Sequence, residues 1–124
     1  MSPSNRNQFV ILYHQMPAES KRADHWDLML RDGDQLLTWA LDSPPKTGLK
    51  IEAIQLANHR LHYLEHEGGI SKGRGTVSKV MHGTFVWQQR NDNMLRARLN
   101  GGIVNWNVTI AHKQDHRFCV EFFD

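Results

Sequence analysis

Residues 25–41 read HWDLMLRDGDQLLTWAL. Two apolar runs flank Asp32-Gly33-Asp34, and Asp-Gly between apolar runs is a hairpin signal. Taken as a strand, the first run sends successive side chains to opposite faces. Trp26, Leu28 and Leu30 then share a face suited to a core, while His25, Asp27 and Met29 share the other. At ~3.3 Å rise per residue, the Cα atoms of His25 and Asp27 stand about 6.6 Å apart, so imidazole and carboxylate can converge on one ion.

Upstream, QFVILYH (8–14) is rich in β-branched and aromatic residues and reads as a strand ending in His14. QMPAESKRAD (15–24) is polar, contains Pro17 and reads as a loop with room for one helical turn. If the two strands are neighbours, His14 supplies a third ligand beside His25 and Asp27. Two imidazoles and one carboxylate leave coordination positions open, as a catalytic metal requires. Spacing alone weighs this equally with a mutually satisfied His25–Asp27 pair or an exposed polar face.

Downstream, Pro44 and Pro45 make DSPPKTG (42–48) a loop. In LKIEAIQLANHRLHYLEHEGG (49–69) a strand over 51–57 gives way to irregular structure after His59. ISKGRG (70–75) is a loop, and TVSKVMHGTFVWQQ reads as a hairpin turning at His82–Gly83. MLRARLNGGIVNWNVTIAH reads as another, turning at Asn100–Gly101–Gly102, and RFCVEFF is a last strand. About eight short strands with glycine turns predict an antiparallel barrel or sandwich. Trp26, Trp39 and Trp106, flanked by apolar residues, are assigned to the core.

His59, His62, Tyr63 and His66 precede a glycine-rich turn carrying Lys72 and Arg74. Such side chains can hold phosphate oxygens, and an imidazole can protonate a leaving alkoxide. The commoner reading of this spacing is histidines decorating one face of a helical turn.

The 124 residues suit a single domain, 1–124. Apolar content of 40% and charged content of 23% suit a globular chain and argue against disorder. A net charge of +2 excludes strong polyanion binding by the molecule as a whole, so any nucleic-acid contact is a local patch. No apolar run reaches membrane-spanning length, and MSPSNRNQ carries no signal-peptide core, so the expected home is the cytoplasm, with no membrane partner. The single cysteine, Cys119, lies among Phe118, Val120 and Phe122 and is expected to be a buried, inert thiol. A monomer is the default.

The motifs fall in a recognisable order. LYH with His14, HWDLML with His25 and Asp27, LTWAL with Trp39, HRLHY with His59 and Tyr63, and EGGISKGRGTV together resemble the 3′-phosphoesterase domain of bacterial multifunctional end-joining DNA ligases (ligase D), in its stand-alone form. The likeness spans roughly residues 9 to 80, with a looser strand match to about 112. It implies a mostly β fold, a small antiparallel barrel of about eight strands with one or two short helical segments. It implies a divalent metal, typically Mn2+, on His14, His25 and Asp27, and phosphate contacts from His59 and Tyr63. It implies removal of 3′-phosphates and trimming of 3′-ribonucleotides at DNA or RNA ends in repair, with DNA ligase or end-joining proteins as partners.

The family carries an arginine two residues after the aspartate, where this chain has Met29. A thioether cannot make the bidentate phosphate contact of a guanidinium. Loss of one such donor costs about 3 kcal/mol, or roughly a hundredfold in rate. Arg22, Lys72 and Arg74 are the candidate replacements. The alternatives are a metal-containing module that binds nucleic-acid ends without turnover, and a small-ligand β-barrel whose polar residues merely line a pocket.

Overall fold

Period-two alternation of apolar residues produces nine strands in the computed structural model, which describes residues 7–124. They are β1 (Gln8–Gln15), β2 (His25–Asp32), β3 (Gln35–Leu41), β4 (Lys50–Arg60), β5 (Gly68–Gly69), β6 (Thr76–Arg90), β7 (Met94–Asn100), β8 (Asn105–Gln114) and β9 (Arg117–Phe123). Eight of them run antiparallel in the order β1-β2-β3-β4-β9-β8-β7-β6, and β6 returns to pair with β1. The sheet is thus a closed barrel, which leaves no long edge to pair with another chain. The two residues of β5 add to the other side of β6, at Val77 and Thr76. Residues 1–6, most of MSPSNRNQ, lie outside the described residues.

The barrel interior is filled by side chains from all eight wall strands, among them Ile11, Leu28, Trp39, Ile51, Phe85, Leu99, Val108 and Phe122. Each such side chain contributes about 1.5–3 kcal/mol by leaving water. Trp39 is buried, whereas Trp26 and Trp106 are half-buried and pack against this core. A second apolar cluster lies on the opposite face of β1 and β2: Val10, Leu12, Met29, Leu36, Tyr63 and Val77. Leu61, Leu64 and Ile70, from the segment linking β4 to β6, cover it. Leu28 to Leu30 are consequently buried on both faces of β2.

The hairpin at Gly33–Asp34 and the turn after Asn100 form where the sequence places them. The turn at His82–Gly83 does not. β6 runs unbroken through both residues, pairing with β1 up to Thr84 and with β7 from there on. Gly83 serves a close approach instead, because a Cβ there would run into the carbonyl of Asn100. β4 likewise extends past residue 57, through His59 to Arg60, before a single 3-10 turn at Leu61–Leu64. The 15–24 segment contains no helical turn; Ser20 N–H donates to Pro17 O in a tight turn. Cys119 is half-buried, since Phe118, Val120 and Phe122 take the inward positions of β9 and leave it facing outward. Among the described residues, no helix is long and apolar enough to cross a membrane.

Candidate metal centre

The pairing of β1 with β2 sets His14 directly opposite His25 and Leu12 opposite Asp27. Opposed residues share a face, so the three polar side chains meet outside the barrel wall, at one end of the second apolar cluster. The His14 and His25 rings lie 4.6 Å apart. One ligand atom from each of His14, His25 and Asp27 falls within 4.8 Å of the others, so the group could hold a metal ion.

The outer hydrogen bonds fix which ring nitrogens face inward. A carbonyl can only accept, so His14 Nε2–H donates to Arg74 O at 2.7 Å and His25 Nδ1–H donates to Ala23 O at 3.1 Å. That leaves His14 Nδ1 at 3.3 Å from Asp27 Oδ2, and His25 Nε2 at 3.3 Å from Asp27 Oδ1. In the neutral tautomers these are lone pairs facing a carboxylate, an arrangement that needs a cation, proton or metal, between them. Asp27 Oδ1 is buried and has no hydrogen-bond partner. Imidazoles anchored through their second nitrogen and a carboxylate with an unmet oxygen are what a divalent ion requires. The donor set fits.

Protons can fill the same gap. Pairing with Asp27 raises the His14 pKa above the usual imidazole value, against the opposing effect of burial. Burial disfavours the ionised form of Asp27, but pairing with the His14 and His25 rings outweighs it and holds the carboxyl at about 2.

Around the three lies a cleft of about 140 Å³, lined also by Arg22, Met29, His59, Tyr63 and Arg74. His59 reaches it through a bulge: Thr38 pairs with Leu56, but Leu36 pairs with His59. Without the extra residue in β4, Leu56 and His59 would point to opposite faces; with it, both line the cleft. His59 Nδ1–H donates to Ala57 O at 2.9 Å, and its ring meets Tyr63 edge-on at 5.3 Å. Met29 is buried in the cleft floor among apolar neighbours. Lys72 sits on the exposed loop at positive φ and does not line the cleft. Neither His62 nor His66 lines it; His62 packs against Tyr63, and His66 Nε2–H donates to Gly69 O.

Backbone and loop contacts with no signature in residue type complete the site. Asp24 accepts from Met16 N–H at 2.7 Å and from the Tyr13 hydroxyl at 3.1 Å, which pins the 15–24 loop and brings Ala23 O and Arg22 beside His25. Gly75, at φ +93°, lets the 70–75 loop cross β1 so closely that a Cβ would strike the Gln15 carbonyl. That crossing delivers the Arg74 carbonyl to His14. No protein-family model matches this sequence and no curated protein does, so the functional reading rests on the arrangement of these side chains.

Proposed function

We propose that the protein is a metal-dependent phosphoesterase acting on the 3′ ends of DNA or RNA, as its likeness to the ligase D phosphoesterase domain implies. The observation that carries this reading is the pair of inward-facing nitrogens, His14 Nδ1 and His25 Nε2, turned toward Asp27 in a cleft that also holds His59, Tyr63 and a guanidinium. His14, His25 and Asp27 would hold a divalent ion, with Mn2+ our choice, which would supply Lewis-acid stabilisation of a phosphoryl oxygen. Tyr63 and His59 bind the phosphate. His59, with Nδ1 committed to Ala57 O, keeps Nε2 for the cleft and as general acid would give a proton to the departing 3′-oxygen while a water oxygen bonds to phosphorus and the P–O(3′) bond breaks. The apolar floor of Leu12, Met29 and Val77 limits water around the reacting group and strengthens each charge contact.

The test is release of inorganic phosphate from a 3′-phosphorylated oligonucleotide, with and without Mn2+, by the wild type and Asp27→Asn. Metal-dependent release that Asp27→Asn abolishes supports the proposal; release indifferent to both refutes it. The buried Met29 favours a second reading, an end-binding module without turnover. Mn2+-dependent binding of the same oligonucleotide with no phosphate released would establish that reading instead.

A further inference from the structure

We infer that Arg22 guards the metal position in the metal-free protein and becomes the phosphate-binding guanidinium once metal and anion are present, coupling the two binding events. This rests on the metal centre proposed above. Arg22 Nη2 lies 3.4 Å from His25 Nε2. Guanidinium can only donate and Nε2 can only accept, so Arg22 addresses the lone pair a metal would take. One lone pair cannot serve both. Metal entry therefore releases Arg22, whose side chain makes no other hydrogen bond among the described residues.

The released guanidinium is then a positive charge beside a divalent cation, an unfavourable pairing unless an anion lies between them. A tetrahedral oxyanion in the cleft would relieve it, since its paired oxygens fit the planar fork of the arginine. Among the described residues, neither Arg74 nor Lys72 is placed for this. Arg74 Nε and Nη2 donate to Ser71 O and Oγ at 3.0 and 3.3 Å, and Lys72 lies outside the lining. Position 29, the family's arginine site, is a buried methionine. Arg22 sits on an exposed loop residue whose N–H is held by Ser20 Oγ, so its head group can swing while its backbone stays anchored.

Metal and anion should therefore tighten each other's binding through Arg22, and by linkage the effect is reciprocal. The experiment titrates Mn2+ into wild type and Arg22→Ala, reading free Mn2+ by electron paramagnetic resonance, in sulfate or in chloride at equal ionic strength. Sulfate mimics phosphate without turnover. In chloride, Arg22→Ala should bind Mn2+ about threefold or more tightly than wild type, since the competitor for Nε2 is gone. Sulfate should tighten Mn2+ binding about fivefold or more in wild type and not in Arg22→Ala. Arg22→Lys should restore part of the sulfate effect, as a charge without the fork. Equal Mn2+ affinities in chloride, or a sulfate effect that survives in Arg22→Ala, overturns the inference and leaves the metal centre standing. No Mn2+ uptake by either protein overturns both.

Discussion

Replacing Gly75 by alanine should damage the fold and the candidate metal centre together, and the neighbouring glycine supplies the control. Gly75 has φ +93°, and a Cβ there would collide with the Gln15 carbonyl at the end of β1. Left-handed backbone costs an L-residue about 1–2 kcal/mol. Overpacking against rigid backbone adds about 1–3 kcal/mol. The sum, near 3 kcal/mol, corresponds to a melting shift of about 10 °C for a domain of this size. Gly73 also has positive φ, +65°, but an added Cβ there meets nothing. Gly73→Ala should cost only the backbone term, about 1 kcal/mol and about 4 °C. The functional consequence separates them further. To admit the methyl group the 70–75 loop must lift from β1, carrying the Arg74 carbonyl away from His14 Nε2, now 2.7 Å distant. Losing a partner that orients a metal-bound imidazole typically weakens metal affinity about 10- to 100-fold. Thermal melting of both metal-free variants, followed by Mn2+ titration at a temperature where both are folded, is the assay. Equal melting shifts would refute the close-approach argument. Wild-type Mn2+ affinity in a folded but destabilised Gly75→Ala would refute the role of the Arg74 carbonyl.

Two other expectations follow from the same geometry. The Asp27 carboxyl has a pKa of about 2 in the fold, below its ordinary 3.8. Its ionised form therefore stabilises the metal-free protein by about 2 kcal/mol above pH 3.8, a contribution lost as pH falls through about 2. Denaturant unfolding at pH 4 and pH 2 should show the stability difference between wild type and Asp27→Asn shrinking by about that amount on the acid side, and an unchanged difference would contradict the ion cluster. His59→Ala should lower the rate of 3′-phosphate release about tenfold to a thousandfold with a melting temperature near wild type. His62→Ala and His66→Ala, outside the cleft, should leave rate and melting within about 0.5 kcal/mol of wild type. Similar rates in all three variants would place the chemistry elsewhere.

The strands and the His14–His25–Asp27 cluster were readable because their signals are local. Alternation in QFVILYH, HWDLMLR and RFCVEFF depends only on the two-residue pleat, and Asp-Gly sets a hairpin through its own backbone preferences. His25 and Asp27 share a face wherever residues 25–27 form a strand. His14 joined them through one further step, the pairing of consecutive strands across a short loop. Cys119 departs from its expected burial because strand alternation turns every second residue of β9 outward, whatever its neighbours in sequence are.

Everything that depended on distant backbone lay beyond that reach. Gly83 has the same composition signal whether it bends the chain or admits a passing carbonyl, and only the pairing of β6 with both β1 and β7 makes it the second. His59 lines the cleft because a bulge in β4 shifts its face by one residue, and nothing in the identity of residues 56–59 announces an extra residue in the ladder. β2 is buried on both faces because residues 61–70 fold back over it, a contact between segments far apart in the chain. The imidazoles point His14 Nδ1 and His25 Nε2 inward because the carbonyls of Ala23 and Arg74 take the other two nitrogens, and every residue has a carbonyl. Side-chain type, read at short range, set the strands and named the histidine–aspartate cluster. Barrel closure and backbone placement decided which faces are covered, which nitrogens face inward, and which cation stands beside them.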